Sequence, residues 1–190
     1  TITGNSVLSG AQVTTALNTG IVISESSTIT ALTIGALTPV AIAAEKTLSG
    51  TTVVNGGGTL QLTLSGNLAS AVALNGGTLD IDESLGISGA ITHSASSSIE
   101  VSSGKTLTYS GTSLSLGAYT LNLTGGGILL NTNSLTLGNA SSVLNVTGAT
   151  TVSGPVALSA GTLDIDEDSE ISGAIVQGGT ASIDVAIGKT

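Results

Sequence analysis

Carboxylates are the only chemistry-bearing side chains that cluster in this 190-residue sequence. Asp80, Asp82, Glu83 and Glu100 lie close together, and Asp164, Asp166, Glu167, Asp168 and Asp184 follow in a second group offset by 84 residues. Hard oxygen ligands in such density suit Ca2+, with each group expected to hold one ion. The competing reading is a solvated acidic surface, splayed by sheet twist and screened by salt. The glycine- and aspartate-rich nonapeptide that binds Ca2+ in some repeat proteins does not occur, which favours the solvated surface. Asp80 and Asp82 have the residue types of a glycosidase pair, but their return as Asp164 and Asp166 marks a structural repeat rather than a unique catalytic centre.

The remaining chemical candidates fall away on inspection. Gly104-Lys105-Thr106 and Gly188-Lys189-Thr190 end like a phosphate-binding loop, yet the glycine required five positions earlier is Ile99 in one copy and Ile183 in the other. Both triplets are expected to be turns. His93 is the sole histidine, and with no Gly-x-Ser-x-Gly context it is expected to be a solvent-exposed turn residue rather than a catalytic base. There is no cysteine, and the cations are Lys46, Lys105 and Lys189. No enzyme is expected. A formal net charge of −9 offers nothing to a nucleic-acid backbone. The longest strongly apolar stretch, residues 36 to 44, is about half of what a spanning helix needs and contains Pro39, so no membrane span is expected.

What positions the carboxylates is a repeat. Gly-Thr-Leu-Asp-Ile-Asp-Glu occurs at 77 to 83 and at 161 to 167, and Ser88-Gly89-Ala90-Ile91 returns as Ser172-Gly173-Ala174-Ile175. A shorter period runs inside it. Apolar-x-apolar triplets begin at Ile21, Val40, Leu60, Leu79, Ile99, Leu121, Leu144, Leu163 and Ile183, with a partial first copy at Ile2, at steps of 19 to 23 residues. Four steps, from Leu60 to Leu144, make up the 84-residue super-repeat, set at about 57 to 140 and restarting at 141. Alternation in each triplet turns Leu79 and Ile81 inward and Thr78, Asp80 and Asp82 outward. No stretch keeps helical spacing. Asn-Gly and Gly-Gly pairs, as in Asn55-Gly56-Gly57-Gly58 and Asn75-Gly76-Gly77, mark turns between strands.

These features specify an all-β parallel β-helix (β-solenoid) of about ten rungs, one domain over 1–190, with a rod length of roughly 50 Å at about 4.8 Å per rung. Stacked centres give the outer column Gln61, Asp80, Glu100, Asn122, Asn145, Asp164, Asp184. Asn122 is expected to form an amide ladder with Asn145, and Asp80 with Glu100, and Asp164 with Asp184, to set like charges side by side. Further strands are expected at Leu32-Thr33-Ile34, Thr52-Val53-Val54, Val72-Ala73-Leu74, 87–91, Leu114-Ser115-Leu116, Leu135-Thr136-Leu137 and 171–175. Both ends are expected to be uncapped, which makes the chain a segment of a longer or a self-assembling protein.

The stretch from Gly50 to Gly66, GTTVVNGGGTLQLTLSG, resembles the Gly-Thr-Leu and Val-Asn-Gly-Gly repeats of autotransporter passengers and filamentous-haemagglutinin-like adhesins. That resemblance implies a right-handed β-helix displayed outside the cell. The expectation is a non-catalytic structural or adhesive rod of a bacterial or archaeal cell-surface or extracellular protein. Its partners would be neighbouring rungs, copies of itself end to end, or a host-cell, glycan or matrix surface. A self-assembling filament or sheath subunit and a polysaccharide-processing β-helix enzyme are the alternatives.

Overall fold

The computed structural model describes residues 7–14, 20–63, 65–166 and 168–186. Among them are 24 strands and no helix, every strand pairing is parallel, and the strands form three sheets that wind around one aliphatic interior. The chain is a parallel β-solenoid. Face A stacks nine strands: Ile21–Ile23, Leu37–Ile42, Thr59–Leu62, Thr78–Ile81, Ser97–Val101, Thr120–Thr124, Val143–Val146, Thr162–Ile165 and Ser182–Val185. Eight turns of the winding therefore separate the first from the last. The rung expected at Ile2 lies outside the described residues.

Face B runs from Val7–Thr14 through Ser27–Ile34, Thr47–Asn55, Asn67–Leu68, Leu85–Ile87, Thr106–Tyr109, Ile128–Asn131 and Thr151–Ser153 to Glu170–Ile171. Face C begins as part of the same sheet. Thr47–Asn55 pairs its first two residues with Asn67–Leu68 and its last five with Ala71–Asn75, so one long strand serves two faces. Ala71–Asn75 then pairs with Ile91–Ala95, where this branch of the sheet stops. A separate sheet of Leu114–Ser115, Leu135–Leu137, Val156–Leu158 and Ile175–Gln177 continues face C above the break. The strands expected over 87–91 and 171–175 are instead corners, because in each copy a Ser-Gly-Ala segment separates a face-B strand from a face-C strand.

Alternation does the packing. Leu79 and Ile81 are fully buried, while Thr78, Asp80 and Asp82 lie outside. Leu60, Leu79, Leu144 and Leu163 belong to the same kind of inward ladder, in which each aliphatic rests on one from the next turn. The register departs from the expected one twice. Leu60 lies beside Thr38 rather than Val40, and Ile99 beside Leu123 rather than Leu121. Both slips are by two residues, so every side chain keeps its face.

Corners are built from two residue types. Where face B turns into face C, Gly50, Gly89, Gly111, Gly154 and Gly173 recur up the rod, with Ser70 and Asn131 at the intervening turns, and a Cβ on any of the five would strike a carbonyl oxygen of the turn beneath. Each is preceded by serine. At other corners a hydroxyl accepts a backbone N–H from an adjacent turn: Thr47 donates to Ser26, Gly76 to Ser97, Thr106 to Ser84, Thr120 to Ser96, Gly126 to Thr150 and Thr150 to Ser169, at 3.0 to 3.2 Å. The abundant Ser and Thr thus complete the hydrogen bonding where the ladder bends.

Candidate functional site: the acidic columns of face A

Register, rather than proximity in sequence, decides which carboxylates meet. Asp80 lies between Gln61 and Glu100 on face A, and Asp164 between Asn145 and Asp184. The expected like-charge neighbours are therefore present. Glu100 is followed by Thr124, and Asn122 by contrast sits above Ser98, so the single outer column divides into two because of the two-residue slip. The amide ladder forms as expected: Asn145 Nδ2 donates to Asn122 Oδ1 at 3.3 Å, and Asn122 Nδ2 reaches Ser98 Oγ at 3.5 Å.

Protein groups already engage part of the acidic set. Gln61 Nε2 donates to one oxygen of Asp82 at 2.8 Å and Ser102 Oγ to the other at 3.3 Å. Glu83 is bound by Lys105 Nζ at 2.7 Å, and Glu25 by Lys46 at 3.0 Å, in half-exposed ion pairs that link successive turns. Asp166 flanks the strand that carries Asp164, Asp168 is exposed beyond it, and Glu167 lies outside the described residues. Among the described residues no three of these carboxylates converge into a group able to hold a metal ion. Gly104 has the positive φ of a turn, as expected for the Gly-Lys-Thr triplet there, and the second triplet lies outside the described residues.

Crowding has an electrostatic result. Burial first, then the charges of Asp82 and Glu100, push the Asp80 carboxyl up from 3.8 to about 6, with the Gln61 amide opposing the rise. Asp164 is raised as well, by burial, Asp166 and Asp184. The folded chain holds the Asp80 proton more tightly than the unfolded chain. This contribution to stability is complete below the ordinary value of 3.8 and is lost as pH rises through about 6. Asp80→Asn should therefore resist urea better than the parent at about pH 7 and no better at about pH 4. Parallel urea midpoints across that range would remove Asp80 as a source of the strain.

His93 requires correction. It is not a turn residue exposed to solvent: it lies within Ile91–Ala95, opposite the fully buried Leu74, with both ring nitrogens buried and without a hydrogen-bond partner. Alternation from Ile91 would have placed it inward, but the surrounding serines read as a turn. Sequence reasoning also missed Tyr109. Its side chain is fully buried, and its hydroxyl accepts the Ile91 N–H at 3.1 Å. No protein-family model, curated protein or solved structure matches this chain.

Proposed function

We propose that this chain is a non-catalytic structural or adhesive rod of a bacterial or archaeal cell-surface or extracellular protein, similar in role to autotransporter passengers and filamentous-haemagglutinin-like adhesins. The observation that carries this reading is face A: nine strands paired in parallel without interruption over an aliphatic interior. Such a ladder couples each turn to the next through backbone hydrogen bonds, giving a stiff element of roughly 40 Å over eight turns at about 4.8 Å each. Stiffness and reach are the product, and the polar outer columns of face A are what the rod would present to a glycan, matrix or host surface.

Self-assembly into a filament or sheath is the second reading, since a ladder in which every described strand pairing is parallel and in step can accept a further turn of the same period from another copy. Electron microscopy and small-angle scattering of the purified chain, incubated with acidic polysaccharides, test both readings. Separate short rods and intact glycan support the stalk. Long fibres would transfer the proposal to a filament subunit, and release of oligosaccharide would overturn the non-catalytic reading.

A further inference from the structure

We propose that the seam on face C between Ile91–Ala95 and Leu114–Ser115 is an acid-operated opening, triggered by the His93 imidazole, while faces A and B keep the rod connected. Four independent features meet at this level. Ile91–Ala95 is paired on its lower edge only, and the next face-C strand belongs to a different sheet. Face A slips by two residues between Ser97–Val101 and Thr120–Thr124. Along face C the usual bond runs from an N–H at the start of a strand to a carbonyl of the next turn, as in Val72 to Ala90, Leu114 to Ser134 and Leu135 to Pro155. At the seam the Ile91 N–H goes to the Tyr109 hydroxyl instead.

The fourth feature is His93 itself. Its neighbours below and above on this face are Ala71–Asn75 and the buried Leu114 and Leu116, none of which carries a charge. Within its own turn Leu85–Ile87 is uncharged, and Glu100 of Ser97–Val101 is exposed on the outside of face A. Tyr109 has turned its hydroxyl to Ile91. Among the described residues no counter-charge faces the ring, and burial alone lowers its pKa from 6.5 to about 4. The neutral ring lies in the stack with neither nitrogen bonded. A protonated ring would bring a charge and two N–H donors into the same place, a state satisfied only by reaching water. The stabilisation is full above 6.5 and is lost as pH falls toward about 4. That trend is opposite to the one at Asp80, so acid loosens face C at the seam while relieving face A.

Opening at this seam costs the fewest strand pairings, because none joins the two segments. The products are two shorter stacks on face C and exposed aliphatics at Ile91, Leu114 and Leu116. Residue-resolved amide hydrogen exchange of the full chain, corrected for intrinsic rates, tests the proposal between about pH 7 and about pH 5. Protection at Ile91, whose N–H is held across the seam by Tyr109, should fall about 20-fold in all over that range, most of it below the ordinary histidine value of 6.5, while Leu79, Ile81, Leu144 and Val146 on face A keep theirs. His93→Leu, which matches the aliphatics around it, should abolish the slope. His93→Gln, the residue at the equivalent position 177, should do the same if the leucine variant fails to fold. Uniform loss along the rod, protection at the seam that ignores pH in the parent, or an unchanged slope in the variant that folds would each overturn the trigger.

Discussion

Alanine in place of Gly50 is expected to cost about 3 kcal/mol or more and to lower the urea midpoint far more than alanine at Gly57. Both glycines have positive φ, 119° at Gly50 and 80° at Gly57. They differ in the space available. A Cβ at Gly57 meets nothing within 4 Å, so the substitution there carries only the conformational penalty of about 1 to 2 kcal/mol. A Cβ at Gly50 would lie 1.8 Å from the Ile29 backbone oxygen, and backbone cannot swing aside as a flexible side chain can. Gly50 stands opposite Ile29, where the register shifts as the long strands pass from face B to face C. Relieving the clash means separating two turns at their corner, which weakens the pairs on either side. Urea titration followed by far-ultraviolet circular dichroism of the two variants gives the comparison directly. Equal midpoints would mean that the corner can bend without resisting, and that the column of Ser-Gly corners sets no spacing between turns.

The sequence carried the architecture because the architecture is periodic. Alternation at Leu79-Asp80-Ile81 and its copies dictates a strand with one face in, and a repeated step of about 20 residues leaves room for short strands and turns but not for helix pairs. The Asn122–Asn145 bond and the Asp80–Glu100 and Asp164–Asp184 pairings follow from that step. Register inside a long strand does not follow. Leu37–Ile42 spans six residues, and a slip by two leaves the inward and outward sets unchanged, so alternation alone does not choose between Thr38 and Val40 as the neighbour of Leu60, and the inward Thr38 is accommodated by its hydroxyl bond to the Ala36 carbonyl. Corners were legible only as punctuation. The Ser-Gly pairs at 49–50, 88–89, 110–111, 153–154 and 172–173 hold the signal for close approach between turns, but their need becomes evident only when the carbonyl beneath each glycine is located. The acidic groups were the least legible part. Pairing of Glu83 with Lys105 and of Asp82 with Gln61 and Ser102 depends on side chains some twenty residues away, which no local spacing reveals.

Tyr109 should be the most costly side chain to truncate in the interior, with Tyr109→Ala losing about 3 to 5 kcal/mol and Tyr109→Phe about 1 to 3 kcal/mol. The two losses have different causes. Removing the ring leaves a void among aliphatics that are fixed by their own strand pairings and cannot close in, and Gly111 beside it supplies no side chain to fill the space. Removing only the hydroxyl keeps the volume but takes away the acceptor for the Ile91 N–H, which face C cannot replace because its ladder is broken there. Elsewhere on this face the equivalent N–H is bound by backbone, as Leu114 is by Ser134, so the phenolic oxygen acts as a local substitute for a missing strand. Tyr109→Phe should accordingly raise amide exchange at Ile91 and its strand above that of Leu135–Leu137, while urea midpoints report the smaller global effect. If Tyr109→Phe matches the parent in both measurements, the Ile91 N–H has another route to satisfaction and the seam is closed more securely than its strand pairing indicates. If instead Tyr109→Phe and His93→Leu each abolish the other's effect on exchange at Ile91, the hydroxyl and the imidazole act on one opening, with the tyrosine holding it shut and the histidine setting the pH at which it yields.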